Sequence, residues 1–189
     1  MLTEYQKQQS GKWYNSNDKE IQVLQQKSRK LMQMFNNELN ADKRSKILKE
    51  WIKDAGKECY IEPPVFIDFG CHVSLGEKVY LNTGCTFLDS ATVSIGDYTL
   101  IGPNVQFLTP EHPLQPEQRV KSIIEEQELE IAKPIKIGKG CWICSGAIIF
   151  PGVTIGDGVT IGAGSVVTND IPPRCLAYGN PCKVVKYFD

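Results

Sequence analysis

The chain has 189 residues, 41% hydrophobic and 23% charged, with a formal net charge of −1. That length suits one domain with or without an extension, and the near-neutral balance excludes the basic footprint of a nucleic-acid-binding protein. No apolar run approaches the roughly 18 residues of a membrane span, the N-terminal MLTEYQKQQSGKWY lacks a secretory apolar core, and seven Cys without framework spacing suit reduced thiols, so a cytoplasmic protein is expected.

Residues 1–56 read as a helical extension. Asn17-Asp18-Lys19-Glu20 offers an N-cap closely followed by an acidic residue. Ile21, Leu24, Ser28, Leu31, Phe35 and Leu39 then recur at helical spacing. Asp42 is a candidate cap for a second helix with Ile47, Leu48, Trp51 and Ile52 on one face. Short mixed helices need an apolar surface to lie against, so a hairpin packed on the main domain is expected.

At Ile61-Glu62-Pro63-Pro64 the helical sequence ends, and a β domain is expected over 57–189. Phe69, Leu75, Leu81 and Phe87 recur every sixth residue, each preceded two positions earlier by Ile67, Val73, Val79 or Cys85. The register slips by two at Asp89-Ser90-Ala91-Thr92 and resumes at Ile95, Ile101 and Phe107. A slip of two keeps side-chain parity, so the inward set stays inward while a bulge lets polar groups reach out. Over 109–133 the sixes stop; this charged stretch reads as a loop without regular structure, and insertions of such length tend to carry function.

The pattern is clearest from Ile135 to Thr168. Ile137, Ile143, Ile149, Ile155, Ile161 and Val167 recur at six, preceded by Ile135, Cys141, Ala147, Val153, Val159 and Ser165. A period of six fits neither a helix at 3.6 nor a plain strand at 2.0. It fits the hexapeptide repeat of a parallel β-helix, whose aliphatic residues stack along the axis and whose small residues fit the corners. At about 18 residues per coil the two registers amount to roughly four to five coils. In the tail, 171–189, Ile171-Pro172-Pro173 ends the prism, a turn follows at Ala177-Tyr178-Gly179-Asn180-Pro181, and Val184 to Phe188 form a last strand.

Chemistry-bearing residues are few. His72 and His112 are the only histidines, too few for a three-histidine zinc site of the kind that hexapeptide prisms sometimes host, so no catalytic metal is expected. Cys141-Trp142-Ile143-Cys144 has a C-x-x-C form, but the repeat already assigns Cys141 to an inward corner. His112 lies in the long insertion between Pro110 and Pro113, where a neutral imidazole suits a general base.

The chain resembles the maltose and galactoside O-acetyltransferases, sugar-acetylating members of the left-handed β-helix acyltransferases. The resemblance covers nearly the whole length. It rests on Gly11-Lys12-Trp13-Tyr14, Ile61-Glu62-Pro63-Pro64, Ile95-Gly96-Asp97, Ile101-Gly102-Pro103-Asn104, Glu111-His112-Pro113-Leu114, Lys133-Pro134-Ile135, the run Pro151 to Gly158, and the ending Ile161 to Thr168, Ile171-Pro172-Pro173 and Gly179-Asn180-Pro181. It implies a mainly β fold, a left-handed parallel β-helix with a helical extension, and acetyl transfer from acetyl-CoA to a sugar hydroxyl without an acyl-enzyme or metal. His112 matches the general base, Ser145 the oxyanion donor through its backbone N–H, and Glu130 an acidic residue that orients or polarises His112. Asn82 matches a sugar contact, with Asp68, Asp89 and Ser90 at or next to other acceptor positions. Trp142 and Ala163 match contacts to the pantetheine arm, Thr168 one further along, and Lys183 and Lys186 basic positions at the phosphates. Asn169 stands where the family commonly has Lys, and Cys144 where it has Gly. The family is trimeric, with sites between prisms. Two other readings stay open: an acetyltransferase for another hydroxyl or amine acceptor, and a non-catalytic scaffold, favoured by Asn169 and Cys144 and opposed by His112, Trp142 and Ala163.

Overall fold

The computed structural model describes residues 1–52 and 54–189. The sixes fold into a three-faced parallel β-solenoid, because each short strand can bury its aliphatic residue only on the copy one coil away. On the first face Ala55, Leu75, Ile95, Ile137 and Ile155 lie in register. On the second, Ile61, Leu81, Ile101, Ile143, Ile161 and Ala177 do so. On the third, Ile67, Phe87, Phe107, Ile149 and Val167 do so. Phe87 and Phe107 stack with ring centroids 4.6 Å apart. Apart from Ala55 these axis residues are buried, and each large one contributes about 1.5–3 kcal/mol by leaving water.

Six parallel strands on the second face make the prism longer than the expected four to five coils. The added strands, Asp54–Ala55 and Cys175–Tyr178, lie outside the hexapeptide pattern because end strands have only one neighbouring coil to match. The prism therefore does not end at Ile171-Pro172-Pro173. Cys175–Tyr178 continues it in parallel with Thr160–Ile161, and Lys183–Tyr187 folds back antiparallel.

The register of the first coil also departs from the expected sixes. Ile67, not Phe69, pairs with Phe87 on the axis. Ile61, Leu81 and Ile101 are register partners 20 positions apart, whereas Ile143 and Ile161 are 18 apart. The first two full coils thus each carry two extra residues, and both extras sit at the corner between the third and first faces, near 68–72 and 88–92. The insertion of 109–133 leaves from that same corner one coil on. Phe69, displaced from the axis, packs with Tyr14, Ile21, Ala91 and Ala132 in a separate cluster.

The insertion is not structureless. Pro110–Glu111 and Leu129–Ala132 pair antiparallel, and Tyr14–Asn15 adds a third strand to them. The distant N-terminal strand is what completes this small sheet. Among the described residues there are four helices: α1 spans Glu4–Gln9, α2 Lys19–Asn37, α3 Ala41–Trp51 and α4 Pro116–Ile124. Helix α4 lies within the insertion and starts with a proline in its first turn, where the missing N–H costs nothing. Asp18 caps α2 as expected. Asn40, not Asp42, caps α3, accepting from the Lys43 N–H at 3.0 Å, and Leu39 falls beyond the end of α2 in solvent. Leu31, Phe35, Leu48, Trp51 and Ile52 merge with the prism interior in one continuous cluster. Among the described residues no helix is long and apolar enough to cross a membrane.

Asp89 holds the widened corner together. It is fully buried, and its two carboxylate oxygens accept from the Phe69 N–H at 2.9 Å and the Gly70 N–H at 2.8 Å. Burial pushes its pKa up to about 7 against the pull of those donors. Its own carbonyl accepts from His72 Nδ1 at 2.6 Å, and Gln9 Nε2 donates to His72 Nε2 at 3.1 Å, so this histidine is neutral and structural. The Asp89→Asn variant keeps one acceptor but turns the other into a donor facing an N–H. It is expected to lose about 1–3 kcal/mol of stability in urea denaturation; a change below about 0.5 kcal/mol would mean that the corner does not depend on the carboxylate.

Candidate active site

The small sheet of Tyr14–Asn15, Leu129–Ala132 and Pro110–Glu111 roofs the widened corner. His112 follows directly on the last of these strands, and its Nδ1 lies 3.2 Å from the Leu129 carbonyl oxygen. A carbonyl only accepts, so the bond assigns the proton to Nδ1 and leaves the lone pair on Nε2. Nε2 is 3.9 Å from Glu130 Oε1. The His112 side chain keeps 56% of its surface exposed, while Glu130 keeps 17%.

Strand alternation explains this arrangement. Leu129 offers its backbone to His112, and Glu130, one residue on, turns its side chain to the same cleft. Buried Tyr14, paired with Glu130 across the sheet, donates its O–H to Glu130 Oε2 at 2.5 Å. Burial raises the Glu130 pKa, and the Tyr14 hydrogen bond and the nearby His112 oppose that rise. Burial, reinforced by the Glu130 charge, drives the Tyr14 phenol far above its ordinary value, so it remains a donor.

Beneath the roof is a cleft of about 170 Å³ lined by Tyr14, Asp68, Ser90, His112 and Glu130, with Gln25 of α2 and Ser16 at its rim. Half-buried Asp68 accepts from Gln25 Nε2 at 2.9 Å, and burial raises its pKa against that bond. The structure thus brings together Asp68 and Ser90 from two successive coils with His112 and Glu130 of the insertion. Asp89, expected beside them at the acceptor, points into the wall instead, for the bulge needs its oxygens. Tyr14, Ser16 and Gln25 were not anticipated. Tyr14 stands in the Gly11-Lys12-Trp13-Tyr14 motif and was findable there; Gln25 shows only as a polar residue one turn from Ile21 and Ser28, at the edge of the buried face of α2.

The remaining candidates lie elsewhere on the prism. Asn82, Cys144 and Ser145, and Ala163 follow the second-face strands at Leu81, Ile143 and Ile161, so they form a ladder on the corner between the second and third faces. The N–H groups of Cys144 and Gly146 bond to the Ile161 and Pro103 carbonyls. Gly102 leaves room before the nitrogen between them: a Cβ there would come within 2.7 Å of Ser145 N. Trp142, 54% exposed, stands on the second face beside this corner. Thr168 and Asn169 share a 3.1 Å hydrogen bond after the last third-face strand, and Lys183 and Lys186 lie on the terminal antiparallel strand. Within one chain, Asn82, Trp142, Ser145 and Ala163 are therefore one corner removed from His112. Among the described residues no group of three or more His, Cys, Asp or Glu is placed to hold a metal ion.

A family model described as a maltose acetyltransferase hexapeptide capping motif matches residues 7–56, and one described as bacterial transferase hexapeptide (six repeats) matches residues 134–169. The chain is 36% identical over 158 residues to the galactoside O-acetyltransferase of Escherichia coli (strain K12), covering 82% of this chain and 75% of that protein. It superposes on a maltose O-acetyltransferase from Clostridium difficile 630 with a TM-score of 0.95 at 41% identity, over 100% of this chain and 98% of the other. A hexapeptide-repeat containing acetyltransferase from Vibrio cholerae O1 biovar eltor, solved in complex with acetyl coenzyme A, gives a TM-score of 0.91 at 30% identity over 100% of both chains. The likeness extends over the whole chain, which accordingly belongs to the hexapeptide-repeat acyltransferases of the maltose and galactoside O-acetyltransferase family.

Proposed function

We propose that the protein transfers acetyl from acetyl-CoA to a sugar hydroxyl in a direct reaction with His112 as general base. The observation that carries the reading is the held imidazole: Nδ1 is tied to the Leu129 carbonyl, and Nε2 is left as a base at a polar cleft. As the sugar oxygen attacks the thioester carbonyl, its proton passes to Nε2. Glu130, anchored by Tyr14, lies close enough to stabilise the imidazolium. The Ser145 N–H donates to the developing oxyanion. When the tetrahedral intermediate collapses, the C–S bond breaks and the imidazolium returns its proton to the departing thiolate.

Asp68, Asn82 and Ser90 hydrogen-bond the sugar, and Asp89 supports them from within the wall. Trp142 flanks the pantetheine arm, the Ala163 backbone bonds it, Thr168 and Asn169 lie further along, and Lys183 and Lys186 meet the phosphates. The acetyl-CoA bound to the Vibrio cholerae relative supports this co-substrate, and the galactoside and maltose enzymes support the sugar. A homotrimer belongs to the same proposal: where two prisms meet around a threefold axis, the His112 corner of one faces the Asn82–Ser145 corner of the next. Acetyl-CoA is an intracellular metabolite, so the proposal places the protein in the cytoplasm.

Release of CoA from acetyl-CoA, measured with a panel of glucosides, galactosides, maltose and amino sugars, tests the reaction. It is expected to depend on the acceptor and to fall roughly 10²-fold or more in His112→Ala; equal rates in both proteins would remove His112 as the base. Tyr14→Phe deletes the hydrogen bond that opposes the rise of the Glu130 pKa. The Glu130 carboxylate is then lost at a higher pH on acidification, and the acid limb of kcat/KM is expected to move upward. An unmoved limb would show that the ionisation of Glu130 is irrelevant to turnover. Light scattering is expected to give three chains per particle, and a fully active monomer would refute the composite site.

A further inference from the structure

Glu130 can stabilise an imidazolium only as a carboxylate, so what keeps it ionised matters. The charged groups His112, Asp68 and Glu128 face it, and Arg29 of α2 lines the same groove. The Tyr14 hydroxyl donates to it directly. A phenol hydroxyl has one proton to give and can also accept. Whether that proton points at Glu130 or away is decided by what meets the phenol oxygen from its other side.

Donors meet it there. The side chains of Gln8 and Ser90 hydrogen-bond Tyr14, and both bonds favour the phenolate, so both give a proton to the phenol oxygen. An amide can present either end, and Gln8 turns its nitrogen to Tyr14 because its oxygen is engaged elsewhere. Gln9 Nε2 donates to Gln8 Oε1 at 3.2 Å. Gln9 is in turn held the right way round by the Ser90 carbonyl oxygen at 3.2 Å, an atom that only accepts. The lone pair of His72 Nε2, 3.1 Å from the same Gln9 nitrogen, makes the same demand. The backbone puts these groups in line. Helix α1 opens with a capping box of Thr3 and Gln6 and carries Gln8 and Gln9 at its end. Gly11, at a φ of +65°, turns the chain back. The Asn15 N–H donates to Glu4 Oε2 at 2.7 Å, which ties the strand of Tyr14 to the helix. At 1% exposure Gln8 has given up its water, a cost that an apolar side chain of the same shape would not incur.

We propose that Gln8 is a positioning residue for acetyl transfer: it passes the polarity of the Ser90 carbonyl, by way of Gln9, to Tyr14, and so holds the phenol proton on Glu130 beside His112. This rests on the reading of His112 as base with Glu130 beside it, and deepens that reading. Gln8 acts through Tyr14 and not on the reacting atoms.

The test is the pH dependence of kcat/KM in the intact protein, with acetyl-CoA and the acceptor of the panel that releases CoA fastest. Gln8→Met keeps the bulk and removes the amide. Its acid limb is expected to lie roughly 0.1–0.6 pH unit above that of wild type. That is the 10–30% or so by which one hydrogen bond strengthens the next in a chain, applied to a bond to a charged group that shifts a pKa by about one to two units. Added to Tyr14→Phe, the same substitution is expected to move the limb no further. Gln8→Asn, an amide one methylene too short to span Gln9 and Tyr14, is expected to behave like Gln8→Met and replaces it if that variant does not fold. A limb that stays put in the Gln8 variants while Tyr14→Phe moves it overturns the relay and leaves the reading of Glu130 intact. So does a shift of equal size with and without the Tyr14 hydroxyl, or a change confined to KM, which would make Gln8 only a wall of the cleft it borders. If Tyr14→Phe itself leaves the limb unmoved, or His112→Ala releases CoA as fast as wild type, the reading of Glu130 and His112 fails and this inference with it.

Discussion

Everything in this molecule depends on one packing constraint: each inward residue must sit on its copy one coil away. The stack from Ile61 through Leu81, Ile101, Ile143 and Ile161 to Ala177 tolerates no drift. A one-residue slip would turn a whole strand's side chains outward. Extra residues are therefore admissible only in even numbers or as excursions that return to the same register. The chain uses both devices at one corner, with two-residue bulges in two successive coils and then the excursion of 109–133. The corner that carries His112 is thus where the repeat is allowed to break without disturbing the axis.

Opening that corner creates a second problem, because it exposes backbone N–H groups inside protein. The solution is a set of buried polar groups that satisfy one another. Asp89 takes the N–H groups of Phe69 and Gly70, and its carbonyl fixes His72, which Gln9 also reaches. Tyr14 holds Glu130 from the roof. Buried polar groups of this kind are costly when half-satisfied and rigid when complete. Rigidity is what an imidazole held by a single backbone carbonyl requires if it is to keep its place, since His112 itself is exposed.

The repeats were plain in the sequence because period six has no competitor among ordinary elements, and the Asp18 cap and the place of His112 were plain for similarly local reasons. What could not be read was set by distant partners. Ile67 and Phe69 are both apolar and two apart, so the sixes alone place either on the axis; only the pairing of Ile67 with Phe87 decides. Asp89 looks like a polar residue on a bulge, and nothing local says that two N–H groups await it inside. The insertion reads as a loop because its strands are short and charged, and the strand that completes their sheet, Tyr14–Asn15, is more than 100 residues away. Asn40 and Asp42 are both competent caps, and the choice rests on where α2 stops.

The separation of the two groups of site residues has a physical origin in the prism itself. A corner that carries bulges and a 25-residue excursion cannot also be the narrow corner where backbones of adjacent coils approach closely. Gly102 beside Ser145 N and Gly162 against Tyr178 mark such a close approach, where a Cβ would lie 2.7 Å and 2.6 Å from its neighbour. A slender coenzyme arm suits that smooth narrow edge, with Trp142 standing beside it; a hydroxyl-rich acceptor suits the widened corner, with its amides and carboxylates. One chain cannot fold its own corners together, because the axis stack holds them apart. On the proposed function, joining them takes a second prism, and so the packing constraint that makes the fold is also the reason that the proposal includes association.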